Sequence, residues 1–220
     1  MMLHAKAWRE SRGRFAIGVA VVAGLCVAFV VFADAFRPHA AASTYEGYIA
    51  SRVYGGVVRA LYMILAVVLG LGGLHRERSH GSLGFTLALP VRRVDHLRAR
   101  VSVGLAQLTV LAILPAAIVP LLSLAVGESF PWDFAVAEAM VWLAVGAAVL
   151  GASFVASVIV PNDYGALVVA LAARKAIAYL EPHLDRATGA VPWLVVAGFG
   201  CGALVLFVIA EQLSVRMRHA

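Results

Sequence analysis

Glu138 is the only carboxylate inside any long apolar stretch of this sequence, which restricts the chemistry the chain can perform. A hydrolase working at membrane depth needs paired carboxylates, an H-E-x-x-H helix, or a serine and a histidine within reach of each other. One glutamate near the end of a stretch supplies none of these. The histidines, His4, His39, His75, His80, His96, His183 and His219, all fall in connections or tails, so none is set within a helix as an axial haem ligand. Cys26 and Cys201 are the only cysteines, and each sits near the middle of an apolar run. Two thiols are too few for a four-thiolate zinc or iron–sulfur site, and in that setting a thiol behaves as a small hydrophobe. A phosphate-cradling loop requires G-x-x-x-x-G-K-[ST], yet neither lysine, Lys6 or Lys175, is preceded by a glycine or followed by Ser or Thr. The expectation is a chain that is not an enzyme, uses no cofactor or metal, and does not itself hydrolyse ATP.

The scarcity of such residues follows from composition. Of 220 residues, 62% are hydrophobic and 14% charged, with mean hydropathy +0.90. Soluble domains have roughly 45–50% and about 25%. Apolar stretches near the length of one bilayer crossing run over 15–33, 57–74, 101–126, 134–160, 164–180 and 191–210. The fold class is therefore an all-α membrane protein with six transmembrane helices, a single domain over 1–220. Six crossings consume about 120 residues, which leaves no space for a soluble catalytic domain. The first run resembles a secretory signal in its basic lead, but 19 residues exceed the roughly 7–15 of a signal core, so it is expected to be retained.

Basic residues order the spans. Segment 1–14 holds four Lys/Arg, 75–100 holds six and the tail after 210 holds two. The alternate connections hold two (34–56), none (127–133) and one (181–190), so the balance is twelve against three. By the positive-inside rule both termini and the 75–100 connection are cytoplasmic, in a multi-pass protein of the cytoplasmic (inner) membrane. That accounts for the net charge of +6 as topology and removes the case for a nucleic-acid partner.

Inside the fourth span Ala144, Ala148, Ala152 and Ala156 recur every four residues beside Gly151, Ser153 and Ser157, and the sixth carries Gly198, Gly200 and Gly202. Such stripes predict close helix packing in lipid. Pro115 and Pro120 are expected to kink or loosen the outer half of the third span. Four charges lie within spans: Arg59, Glu138, Arg174 and Lys175. Arg174 and Lys175 either face a polar pathway, meeting an anionic group or Glu138, or belong to a short or broken span and snorkel outward. Arg59 and Glu138 lie near the outer edge, as a pair or each exposed.

The stretch from Leu74 to Val101 reads LHRERSHGSLGFTLALPVRRVDHLRARV. A charged cluster leaves the membrane, a mostly apolar segment runs from Leu83 to Leu89, Pro90 stops regular helix, and Arg92, Arg93, Arg98 and Arg100 return to the surface. This describes a short helix at the cytoplasmic interface, within a connection far longer than a minimal turn. Glu77, Gly81, Ser82 and Leu83, then Leu87-Ala88-Leu89-Pro90-Val91 and Arg92-Arg93, resemble the E-x-x-x-G-[ST]-L … L-x-L-P-V-[SR]-R pattern in the second cytoplasmic region of ATP-binding-cassette type-2 permeases. The basic lead Lys6, Trp8, Arg9, Arg12 and Arg14, the six spans and the cytoplasmic ends also resemble that family. The motif covers about 17 residues and the topology the whole chain.

The resemblance implies the permease subunit of an ATP-driven transporter, with export the expected direction. Two such permeases, identical or related, would pair with two separate ATP-hydrolysing subunits. It implies that Glu77 to Leu89 form the coupling helix that docks on the nucleotide-binding subunit, with Glu77, Gly81, Ser82, Leu83, Leu87, Leu89 and Pro90 as its contact residues. It also implies that the leading segment forms an interfacial N-terminal helix. The competing reading is a membrane scaffold or sensor that binds a cytoplasmic partner without moving solute. Ion-coupled transport by this chain alone is weakened by the lack of a buried carboxylate relay.

Overall fold

Long apolar helices separated by short polar breaks are what the composition demands, since a backbone in lipid must satisfy its own hydrogen bonds. A computed structural model of the chain describes residues 2–36, 44–71, 93–160, 167–172, 175 and 193–216. All regular elements among them are helical: α1 (Met2–Val31), α2 (Ala33–Phe36), α3 (Tyr45–Ile49), a π-helical turn (Ala50–Tyr54), α4 (Val57–Leu71), α5 (Arg93–Ala125), α6 (Trp132–Ile159) and α7 (Trp193–Arg216), with a further helical stretch at 167–172. Five helical segments are long and apolar enough to cross a bilayer: Leu3–Val31, Tyr45–Leu71, Asp95–Ala125, Trp132–Ile159 and Val195–Leu213. This is a multi-pass helical membrane protein. Within the expected 164–180 span only 167–172 and Lys175 are described, and both are helical.

α6 forms the axis of the bundle. Of its most apolar window 67% is buried, against 11% for α7. Small residues let three helices reach it. A Cβ on Gly70 of α4 would lie 2.5 Å from the Ser153 Cβ, and one on Gly146 would lie 2.5 Å from the Tyr62 hydroxyl. On its other sides Gly151 lies against Leu206 of α7 and Leu150 against Gly104 of α5. Ala144, Ala148 and Ala156 of the predicted stripe are buried. The expected glycine stripe of the last span behaves differently: a Cβ on Gly198, Gly200 or Gly202 would meet nothing within 4 Å among the described residues.

Contacts along the seams fix helix directions. Gly18 meets Leu65 and Arg14 reaches the Val68 carbonyl, so α1 and α4 are antiparallel. α4 and α6 run parallel, with Tyr62 beside Gly146 and Gly70 beside Ser153. α7 also runs parallel to α6: Gly151 faces Ala203 and Leu206, Phe154 lies 6.3 Å from Phe207, and Glu211 reaches Arg98 at the start of α5. The chain thus leaves α6 at one end of the bundle and begins α7 at the other.

One expectation needs correction, and two further features complete the outline. The leading segment is not a separate interfacial helix, because residues 2–31 form one unbroken helix of 30 residues. Glu10, Ser11 and Arg14 are bound to α4 and α5, which docks these turns on the bundle. The 34–56 connection is in good part helical. Thr44 caps α3 by accepting from the Gly47 amide at 3.2 Å, and the π turn, closed by Gly55 N–H to the Ala50 carbonyl at 2.8 Å, carries the chain into α4. Pro115 and Pro120 sit inside α5 without ending it, since its helix runs continuously to Ala125. It stops instead at Gly127, whose φ of +80° allows the Glu128 amide to reach back to the Ser123 carbonyl at 3.0 Å.

Candidate functional site

The end of the bundle at which α4 finishes and α5 begins, the expected inner end, carries a polar junction on either side of residues 72–92. α5 begins just after that segment, and its first turns send Arg98 to Glu211 of α7 at 2.7 Å and Arg100 to Glu10 of α1 at 3.1 Å. The longer contact is the more consequential. Arg100 is only 8% exposed, whereas the Arg98 side chain is 66% exposed, where solvent screens its charge. Two turns further along α5 Gln107, fully buried, donates from Nε2 to the Ser11 hydroxyl at 2.8 Å, and Ser11 donates to the Ala7 carbonyl at 2.9 Å. Because the serine proton goes to Ala7, the serine oxygen must accept from Gln107, which fixes the amide orientation. On the other flank of the 72–92 segment Arg14 donates to the Val68 carbonyl at 3.0 Å, near the open C-terminal end of α4.

α1, α4, α5 and α6 meet around a crevice of about 30 Å3 lined by Glu10, Ser11, Gly70, Arg100, Gln107 and Phe154, among others. That is space for one or two waters and for no larger solute. The contacts around it tie α1 to α4 and α5, and α5 to α7.

At the opposite end aromatic rings fill the bundle. Tyr54 stacks on Phe130 at 5.7 Å and meets Phe134 and Trp142 edge-on at 5.7 and 5.9 Å, and Trp142 lies 5.1 Å from Tyr62. The rings pack against one another, so the group is a plug and not a cage. Hydroxyls tie it to α5: Tyr54 donates to the Pro115 carbonyl at 3.1 Å, and Tyr45 contacts the Ser123 hydroxyl at 2.7 Å. Ser123 passes its own proton to the Val119 carbonyl, so Tyr45 is the donor.

Of the sequence-derived candidates, Glu138 is buried on α6 and Arg59 is half-buried at the start of α4, both toward this outer end and both engaged. Lys175 is exposed. Arg174 and the coupling residues Glu77, Gly81, Ser82, Leu83, Leu87, Leu89 and Pro90 lie outside the described residues. The sequence gives no role to Glu10 or Gln107, and it places Arg100 among the basic residues that return to the membrane surface, whereas the structure buries it against Glu10. Gln107 gave a usable signal, as the only side-chain amide within the 101–126 stretch. Compared with protein-family models and with curated proteins, the chain matches none.

Proposed function

We propose that this chain is the permease subunit of an ATP-driven transporter of the ATP-binding-cassette type-2 kind. In this reading it exports its solute and is driven by a separate ATP-hydrolysing subunit docked on the cytoplasmic segment Glu77 to Pro90. The observation that carries the reading is the ordered motif from Glu77 to Arg93 in a chain with no phosphate-binding loop of its own. Such a chain needs an external motor, and Glu77 to Pro90 is the sizeable cytoplasmic handle it would offer.

The geometry supports the mechanical part. The segment between Leu71 and Arg93 joins the inner ends of α4 and α5. α4 is locked to α6 through Gly70 and to α1 through Arg14, and α5 is locked to α1 and α7 through Arg100 and Arg98. A displacement of the docked segment would reach every described span within one contact. Closure of the motor dimer then biases two bundle arrangements, which is the form such coupling takes.

Six spans with both ends cytoplasmic belong to the same proposal. α6 and α7 run parallel, so the chain between them has to pass from one face to the other, which supports a further crossing over 164–180. The clamped inner junction and the plugged outer end also support a second permease copy or a related one, with the solute path formed between the two. Glu77→Arg and Leu83→Asp test the handle. Each variant should insert into the membrane as the parent does, lose the ATP-hydrolysing subunit on purification, and lose transport. Retention of both properties refutes the assigned coupling role.

A further inference from the structure

We infer that the outward face of α1 is a binding site for one anionic phospholipid of the cytoplasmic leaflet, its phosphate held by Lys6, Arg9 and Arg12. Lys6 and Arg9 line an open groove of about 400 Å3 together with Ala5 and Glu10, and Arg12 follows one turn later on the same exposed face. At 100° per residue Lys6, Arg9, Arg12, Ala16, Ala20 and Val27 fall on one side of the helix, and all are exposed. The charged turns therefore lead directly into an apolar strip of the right length and direction for an acyl chain. Beyond Gly13 that strip is small and smooth: a Cβ at Gly13 or Gly24 would meet nothing within 4 Å.

Charge decides the occupant. Glu10 also lines the groove, but its carboxylate is committed to Arg100 at 3.1 Å and lies 3.9 Å from Lys6. No ion-pair partner of Arg9 or Arg12 is found among the described residues. The face thus presents two uncommitted guanidiniums and a shared ammonium to the headgroup layer, a surface suited to the planar recognition of phosphate. Trp8, half exposed beside them and 5.6 Å from Phe15, sits where an amphipathic ring anchors at the membrane boundary. A zwitterionic headgroup would bring its own cation against these three, so the site selects a net negative lipid. This inference needs only that the chain is membrane-embedded with these turns at the inner leaflet, and stands apart from the transport reading.

The test is native mass spectrometry of the full-length chain in a non-ionic detergent, titrated with dioleoylphosphatidylglycerol or dioleoylphosphatidylcholine. The parent should retain one phosphatidylglycerol in preference to phosphatidylcholine. The double variant Arg9→Gln/Arg12→Gln should weaken phosphatidylglycerol retention by roughly 25-fold, about fivefold per basic residue, and leave phosphatidylcholine unaffected. Arg216→Gln/Arg218→Gln, equally basic but in the tail, should change nothing. Equal retention of the two lipids by the parent overturns the inference, as does unchanged retention by the double variant. Displacement of the lipid by equimolar glycerol phosphate would assign the cations to a free anion and overturn the lipid. Oxidative cross-linking of Ala20→Cys into dimers, without Cys26 and Cys201, would give the face to a second copy and overturn it too.

Discussion

Replacing Gly70 by alanine probes the seam that places α4 on α6, and the structure sets its size. The added Cβ would lie 2.5 Å from the Ser153 Cβ and 3.1 Å from the Leu150 carbonyl oxygen. Carbon atoms rest about 3.5–4.0 Å apart, so the helices must separate by about 1 Å at a point where neither neighbour can rotate away. Overfilling a packed interior costs about 1–3 kcal/mol, and exchanging glycine for alanine within a helix returns about 1 kcal/mol at most. The net expectation is a loss of about 1–2 kcal/mol, or roughly 2–8 °C for a chain of this size. Gly24→Ala is the control, because a Cβ there meets nothing within 4 Å and only the helix gain remains. Cys26, fully buried, reports unfolding through a thiol-reactive dye in a Cys201→Ser background, since Cys201 is exposed. Gly70→Ala should melt below the parent and Gly24→Ala at or above it, and Ser153→Gly should restore much of the loss. Equal shifts for the two glycine variants, or no rescue by Ser153→Gly, would refute the packing argument.

The same melting assay ranks the inner ion pairs by burial and not by length. Glu10→Gln, which leaves the nearly buried Arg100 facing a neutral amide, should cost about 1–3 kcal/mol, whereas Arg98→Gln should cost less than about 1 kcal/mol. The reverse order would contradict the assignment of Arg100 as the clamp. Tyr54→Phe removes one buried hydrogen bond to the Pro115 carbonyl while keeping the ring stack, so a loss of about 0.5–1.5 kcal/mol is expected, and no loss would place that hydroxyl in water. Topology is read with single cysteines in intact cells. Ser129→Cys, in the exposed turn between α5 and α6, should react with a membrane-impermeant maleimide, and Ser82→Cys should react only after permeabilisation.

How far the residues could be read in advance depended on whether the deciding interaction was local. Apolar runs near twenty residues are a local property, and α6 matches the predicted 134–160 within two residues, whereas α1 and α5 cover the predicted 15–33 and 101–126 but begin well before them, at Met2 and Arg93, and α7 runs on past 210 to Arg216. The sequence places residues 45–54 in the 34–56 connection, which carries Arg37 and Arg52. The structure instead carries them through a short helix and a π turn that bury Tyr48, Ile49, Val53 and Tyr54, a burial against distant helices that no local pattern records. The small-residue stripe of the fourth span marks a packing face, with Gly151 against Leu206 and Ser153 against Gly70, whereas a Cβ at Gly198, Gly200 or Gly202 would meet nothing within 4 Å among the described residues. The inner junction was opaque for the same reason. Glu10 and Arg100 are ninety residues apart in sequence and each reads as an ordinary surface charge, since no local pattern records that one will be buried against the other. The motif from Glu77 to Arg93 is contiguous in sequence, so the resemblance can be read without any fold, and its role is the proposal tested above.

The account rests on an external motor gripping that handle. Its most direct test is the composition of the tagged chain purified from its own membranes in mild detergent. The expected preparation contains two permease chains and two copies of a soluble subunit that carries G-x-x-x-x-G-K-[ST] and hydrolyses ATP. A chain that moves solute in vesicles without any nucleotide-hydrolysing companion would contradict it.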